Sequence, residues 1–197
     1  INSNLKKFLN DKIYWCASST HEGEELVAAK TYIILKKKTK NLILIVIPRN
    51  IQRVSEIMTM FSDLGLKAHL HSLNKKIPKN TNIYIVDTYG ETKAFFKVCK
   101  IVFLGKSLTS NGGQNPLEPA RYNCSIIHGP NVSNFHEIYN QLRTNKIAFK
   151  VNNQNQLIKK VNELLKKNIR TKNIGNKINR IGEEILNKTL AEVKKFI

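Results

Sequence analysis

The sequence predicts a parallel, doubly wound α/β sheet, and two observations carry that prediction. Short apolar runs of strand length alternate with segments of helical periodicity along most of the 197 residues. Several of the runs are apolar without interruption, such as LILIVIP at 42–48. Continuous apolar strands are typical of a sheet covered by helices on both faces, and alternation with helices is typical of parallel strands.

Seven strands and seven helices follow from these patterns along the chain. The strands are predicted at 12–18, 42–48, 67–72 (a weak one), 82–87, 100–105, 124–129 and 147–151. The helices are predicted at 22–37, 51–64, 91–99, 116–122, 134–143, 155–167 and 171–196. No internal repeat or long linker divides the sequence, so residues 1–197 are predicted to form one domain whose C-terminal helices begin at about 153.

Composition narrows the function classes without choosing one. The net charge of +19 would attract nucleic acid, anionic lipid or phosphorylated substrates. Only six of the 33 basic residues are Arg, the residue best suited to recognising phosphate. The Lys residues are spread along the whole chain, which favours a general bias towards Lys over a dedicated binding patch. No apolar run is long enough to span a membrane. Because the chain opens on Ile1, we expect it to be a processed product or the excised part of a longer protein.

The three cysteines point to core thiols. Cys16, Cys99 and Cys124 lie in or beside apolar stretches, and no C-x-x-C spacing occurs. Buried, reduced thiols are therefore favoured over metal or redox chemistry, which stays the alternative.

Ligands of parallel α/β sheets bind where the strands run into loops, at their carboxyl ends. The chemistry-bearing residues of this sequence concentrate there, at 18–24, 48–50, 87–91, 105–115 and 129–134.

Three of these loops carry candidate contacts. ASSTHEGEE (17–25) holds Ser19, His21 and Glu22 at a helix start. A Ser or Thr cap alone, or a cap together with a ligand contact, would each explain this loop. Arg49 directly follows a buried strand and suits a phosphate or carboxylate. Gly90 and Glu91 form a turn at a helix start, where free amides hold an anion or simply begin a capped helix.

The loop GGQNPLEP (112–119) is the most specific. Gly112 and Gly113 permit positive φ and a close approach of the backbone to a ligand, and Pro116 suits the first turn of a helix. Glu118 in that turn could accept hydrogen bonds from the two hydroxyls of a ribose. A nucleotide site is favoured over a plain tight loop, because the latter needs neither the glycine pair nor Asn115.

Taken in order, ASSTHEGEE, VIPRN, VDTYGE, GKSLTSNGGQNPLEPA and HGPNVSNF resemble one family over about residues 12–136. They are similar to the C-terminal half of 3-deoxy-D-manno-octulosonic acid (Kdo) transferases, which build the inner core of lipopolysaccharide. KSLTSN (106–111) and Tyr89 depart from the family pattern.

The resemblance implies the C-terminal, Rossmann-like domain of an inverting GT-B glycosyltransferase that moves Kdo from CMP-Kdo to a lipid A precursor. It implies no metal and no cofactor. The general base would lie in an N-terminal acceptor domain that this chain lacks, so no catalytic residue is expected here and the isolated chain should be inactive. The implied location is the cytoplasmic face of the bacterial inner membrane.

The resemblance also assigns roles by position. Arg49 would contact the donor's phosphate or carboxylate, and the other donor-binding residues would be Gly90, Glu91, Gly112, Gly113, Asn115 and Glu118. The sugar or the cleft would be met by Ser19, His21 and Glu22.

Two other functions remain open from the sequence. One is a GT-B domain that uses another nucleotide sugar, as a UDP-linked transferase or epimerase does. The other is a basic module that binds RNA or an anionic membrane. Against RNA, the aromatics stand inside apolar segments, namely Trp15, Phe95, Phe96 and Phe103. No nucleic-acid partner is therefore expected, whereas weak association with anionic membrane is.

Overall fold

A computed structural model describes residues 1–73 and 75–166, and in it seven strands form one parallel sheet. The strands are β1 (Ile13–Thr20), β2 (Leu42–Pro48), β3 (Ala68–Leu70), β4 (Ile83–Ile85), β5 (Ile101–Leu104), β6 (Ser125–His128) and β7 (Ala148–Lys150). They lie in the order β3-β4-β2-β1-β5-β6-β7, and each pairing is parallel. The predicted sheet is confirmed, including its weak strand.

Seven α-helices accompany the strands in the part of the chain described. They are α1 (Ser3–Leu9), α2 (Glu24–Lys36), α3 (Val54–Asp63), α4 (Thr92–Val98), α5 (Leu117–Arg121), α6 (His136–Thr144) and α7 (Gln154–Lys166). Short 3₁₀ turns at Ile51–Arg53 and Ser133–Phe135 lead into α3 and α6, and a third follows β3 at His71–Leu73. The predicted helix at 171–196 lies outside the described residues.

Helix α1 was not predicted from the sequence. It has seven residues and begins behind Asn2, whose side-chain oxygen accepts a hydrogen bond from Leu5 N at 2.8 Å. Leu5 and Leu9 are buried. Tertiary contacts of two leucines therefore hold a helix that is too short for periodicity to reveal.

The strands divide the core into two layers, one on each face of the sheet. Leu42, Leu44 and Val46 of β2 belong to the cluster that also holds residues of α2, α3 and α7. Ile43, Ile45 and Ile47 alternate with them and join the cluster that holds residues of α1 and α4. All seven residues of β2 are buried, as its continuous apolar sequence predicts.

The cysteines are free thiols in the second of these layers. Burial raises the pKa of Cys124 to about 12 and raises the pKa of Cys16, so both thiols stay protonated at neutral pH. The prediction of core thiols is confirmed. Among residues 1–73 and 75–166, no three His, Cys, Asp or Glu side chains come together as a metal site would require.

The four aromatic residues that stand in apolar segments are also buried: Trp15, Phe95, Phe96 and Phe103. They cannot stack on the bases of a nucleic acid. Within the described ranges, no helix is both long enough and apolar enough to cross a bilayer.

The order of the strands creates a crevice at the carboxyl edge of the sheet. Strand β1 lies between β2 and β5. The chain leaves β1 towards β2 on one side and later returns to β5 on the other side. The connections that follow β1 and β5 therefore run in opposite directions along the strand order, and open α/β sheets bind their ligands at such a point.

Candidate functional site

The loops after β1 and β5 hold each other across this crevice. The carboxylate of Glu24 accepts hydrogen bonds from the backbone N–H groups of Lys106 (2.8 Å), Ser107 (3.0 Å) and Leu108 (3.0 Å). The hydroxyl of Thr109 donates to Glu22 O at 2.8 Å. Two of the loops singled out in the sequence thus form one unit.

Gly105 permits this contact because there is no room for a side chain. A Cβ at position 105 would lie 2.4 Å from Ser19 O and 2.6 Å from Glu24 Oε2. Both distances are well inside van der Waals contact. The glycine that follows β5 is therefore required by the close approach of the β1 loop.

The expectation that a Ser or Thr caps α2 is wrong. The N-cap is Gly23, with φ of +83°, and it makes no side-chain cap. Glu24 itself accepts a hydrogen bond from His21 N at 2.9 Å, and His21 Nδ1 donates to Ser19 O at 3.1 Å. His21 and Ser19 thus shape the loop after β1, and whether they touch a ligand stays a prediction.

Glu24 is the residue that the sequence interpretation missed. Its neighbours Glu22 and Glu25 are equally acidic, so composition does not single it out. Helical spacing excludes only Glu22, because Glu24 and Glu25 both lie on the buried side of α2, and it does not distinguish these two.

Two non-glycine residues at this crevice have left-handed backbones. Ser19 at the end of β1 has φ of +53°, and Lys106 just after β5 has φ of +55°. Such conformations cost about 1–2 kcal/mol each and collect at functional sites. The side chain of Lys106 runs beside Gly112.

The glycine pair has the positive φ that the sequence predicts, +109° at Gly112 and +73° at Gly113. The pair also packs against the loop after β6. A Cβ on Gly113 would lie 3.0 Å from Val132 Cα, and Asn134 N donates to Gly112 O at 3.1 Å. The fold itself therefore requires these glycines, whereas close approach to a ligand stays a prediction.

The second half of the loop faces α4. Asn115 Oδ1 accepts a hydrogen bond from Leu117 N at 3.0 Å, so the side chain of Asn115 closes a turn that leads into α5, whose N-cap is Pro116. Glu118 lies in the first turn, as predicted, and its Oε1 is 3.9 Å from Lys93 Nζ in α4.

A surface cavity of about 470 Å³ opens beside Glu118, lined by Lys93, Asn115, Leu117, Glu118, Arg121 and Tyr122. Gly90, with φ of +83°, and Glu91, the N-cap of α4, precede Lys93. The helix that follows the DTYGE turn thus lines this cavity through Lys93, whereas Gly90 and Glu91 are not among the lining residues.

Arg49 is exposed at the same edge of the sheet. Its backbone N–H donates to Thr20 O at 3.0 Å, which ties the loop after β2 to the end of β1. A neighbouring guanidinium has a structural role instead: Arg53 Nη1 is 3.2 Å from the buried carboxylate of Glu25. Burial raises the pKa of Glu25, and the charge of Arg53 opposes that shift.

His128 and Tyr139 pack against each other beside the loop 112–119, and Tyr139 is hydrogen-bonded to that loop. The Tyr139 hydroxyl donates to Gln114 O at 3.0 Å, and its ring centroid lies 4.2 Å from that of His128. His128 Nδ1 donates to Gly129 O at 2.7 Å. Burial lowers the pKa of His128 to about 4, so the ring is neutral at physiological pH. This pair was not singled out in the sequence.

The sheet and its flanking helices define a class of fold: a doubly wound, Rossmann-like α/β domain. The C-terminal CMP-Kdo binding domain of WaaA from Acinetobacter baumannii has the same fold, with a TM-score of 0.82, 23% identity, and coverage of 90% of this chain and 93% of that one.

Sequence relatives make the assignment more specific. The 3-deoxy-D-manno-octulosonic acid transferase of Haemophilus influenzae is 27% identical over 187 residues, covering 95% of this chain and 43% of the relative. That of Rickettsia conorii is 33% identical over 166 residues, covering 84% of this chain and 36% of the relative. No family model matches the chain. The chain is thus a homologue of the Kdo transferases, as its motifs indicated, and it spans less than half the length of these relatives.

Proposed function

We propose that this chain is the donor-binding domain of an inverting glycosyltransferase that moves Kdo from CMP-Kdo to a lipid A precursor. One observation carries the proposal. The five motifs by which the sequence resembles Kdo transferases lie at the carboxyl edge of one parallel sheet, around the loops after β1 and β5. That edge is where this fold class holds nucleotides.

The donor would lie across the two halves of the site. Glu118 would accept hydrogen bonds from the ribose hydroxyls, beside the cavity at α4 and α5. Arg49 and Lys106 would face the phosphate and the Kdo carboxylate. When the bond between Kdo and the phosphate breaks, negative charge develops on the departing CMP, and fixed positive charges stabilise it.

The chain would supply binding and charge stabilisation, and a second domain of the same enzyme would supply the general base and the lipid acceptor site. In isolation the chain should therefore transfer no sugar. The proposed location is the cytoplasmic face of the bacterial inner membrane. With its charge of +19, the chain should sediment with phosphatidylglycerol vesicles at low salt and stay in solution at about 1 M salt, where charges are screened within ~3 Å. Retention on the vesicles at high salt would contradict this electrostatic association.

Calorimetric titration of the chain with CMP tests the proposal most directly. We expect saturable binding of CMP and weaker binding of UDP and AMP. No detectable heat of binding with any of the three nucleotides at millimolar concentration would refute the donor-binding role. A preference for UDP would replace CMP-Kdo by another nucleotide sugar, and tight RNA binding unaffected by CMP would point to the basic binding module.

Glu118→Gln tests the ribose contact within that proposal. Losing a charged acceptor should weaken CMP binding about 10–100-fold. The free energy of unfolding should change by less than about 0.5 kcal/mol, because the pair with Lys93 is long and exposed. Glu137→Gln is the matched control, since Glu137 is an exposed first-turn glutamate of α6. Equal CMP affinity of the Glu118 variant and the control would remove the ribose role.

A further inference from the structure

Glu24 is a fully buried carboxylate that accepts four hydrogen bonds from backbone N–H groups. Its Oε2 accepts from His21 N at 2.9 Å and Lys106 N at 2.8 Å. Its Oε1 accepts from Ser107 N and Leu108 N, both at 3.0 Å. The relative exposure of the residue is 0%. A buried carboxylate is costly unless it is hydrogen-bonded in this way.

Helix capping does not account for this arrangement. A capping carboxylate needs only the amides of its own turn, whereas three of the four donors here are 82 to 84 residues away in sequence. The three are successive residues, and the first has a left-handed backbone. Successive amides around such a residue form a concave anion-binding nest. The nest at the mouth of β5 is therefore filled by the chain's own carboxylate rather than left for a ligand.

The contact extends from this nest to the glycine loop. Lys106 donates its N–H to Glu24, and its carbonyl oxygen accepts a hydrogen bond from Gly113 N at 2.8 Å. Thr109 is tied to Glu22 O in the same region. The position of the glycine pair thus depends on where Glu24 holds residues 106–108.

We infer that Glu24 is a positioning residue: it holds the loop after β5 in the conformation in which the 112–118 segment takes the donor nucleotide. That the ligand is the donor nucleotide rests on the function proposed above. That Glu24 holds residues 106–108 in place rests only on the hydrogen bonds of the chain itself. Nucleotide binding and loop protection can therefore be tested separately.

Glu24→Gln is the sharpest variant. It keeps the side-chain volume but turns one acceptor oxygen into an NH₂ group that faces two N–H donors, so either oxygen's pair of hydrogen bonds is lost. Glu25→Gln is the matched control. Glu25 is the next residue, is also buried, and directs its carboxylate to Arg53 instead.

We expect Glu24→Gln to weaken CMP binding about 10–100-fold and Glu25→Gln to change it by less than about threefold. Hydrogen exchange gives a second readout that needs no ligand. In the parent chain the amides of 106–108 should be protected. In Glu24→Gln they should exchange quickly, while those of β2 stay protected and Glu25→Gln leaves 106–108 unchanged.

The outcomes separate the two proposals. If the parent binds CMP and Glu24→Gln binds it equally well with unchanged exchange at 106–108, the positioning role is overturned and donor binding survives. If the parent does not bind CMP, donor binding fails, and exchange alone decides the role of Glu24.

If Glu24→Gln does not fold, Thr109→Val can be used instead. It removes the hydrogen bond from the exposed Thr109 to Glu22 O, which also holds the loop after β5. It should weaken CMP binding a few-fold. Unprotected amides at 106–108 in the parent chain would by themselves overturn the inference.

Discussion

A comparison of Gly113→Ala with Gly65→Ala separates two physical reasons for a glycine at position 113: its positive φ and the lack of space for a side chain. The two residues have nearly the same backbone, with φ of +73° and +70°. Around Gly65, which follows α3, nothing lies within 4 Å of an added Cβ, whereas around Gly113 three atoms of Val132 lie at 3.0–3.2 Å. An alanine with left-handed backbone costs about 1–2 kcal/mol at either site. The crowding at Gly113 should add about 1–3 kcal/mol.

The free energy of unfolding in urea measures the difference directly. Both variants lose the same freedom in the unfolded chain, so that contribution cancels. We expect Gly113→Ala to be less stable than Gly65→Ala by about 1–3 kcal/mol, with equal denaturant slopes. Agreement of the two variants within about 0.5 kcal/mol would refute packing on Val132 as a reason for this glycine. CMP titration of the same variants then asks whether the loop also shapes the nucleotide site, since only Gly113→Ala should lose affinity.

Two further predictions concern buried ionisable groups. Burial lowers the pKa of His128 from 6.5 to about 4, so the unfolded chain binds the extra proton and stability is lost as pH falls through that range. The parent should lose up to about 3 kcal/mol there that His128→Phe does not lose, and parallel pH profiles of the two chains would contradict this. Arg53→Ala leaves the buried Glu25 carboxylate without its partner and should cost about 2–3 kcal/mol at pH 7. Because burial already raises the pKa of Glu25, the loss should shrink towards pH 5, and Glu56→Gln, at the exposed end of the same arginine, should cost less than about 0.5 kcal/mol. A loss for Arg53→Ala that does not change with pH would show that the carboxyl of Glu25 is not its source.

Much of the fold could be predicted because it depends on local pattern. The run at 42–48 has only apolar residues, and a strand buried on both faces is the structure that accepts it. Helix α1 escaped because two leucines in seven residues define no period. The 3₁₀ turn at Ile51–Arg53 escaped because its residues continue the apolar spacing of α3.

The candidate site was predictable only as a set of strand ends. Since all strands of a parallel sheet point the same way, the loops after β1 and β5 had to share one edge, and the structure brings them into contact. The roles of individual residues in those loops could not be predicted as well from the sequence. The predicted Ser or Thr cap is replaced by Gly23, and the glycine pair proves to be packed on Val132. The ribose contact of Glu118 and the donor contact of Arg49 stay predictions.

By itself the sequence determined the fold class, the edge of the sheet at which the candidate site lies, and the relation to the Kdo transferases. The fold class and the family relation follow from apolar periodicity and from short motifs and their order. Both can be read along the chain without knowing which distant residues come into contact. Only the tertiary structure decided which glutamate of HEGEE serves the fold internally. Glu22, Glu24 and Glu25 are chemically alike, and Glu24 differs because the loop of a strand more than 80 residues away brings three amides to its carboxylate. Such a distinction arises from a long-range contact, so no local pattern contains it.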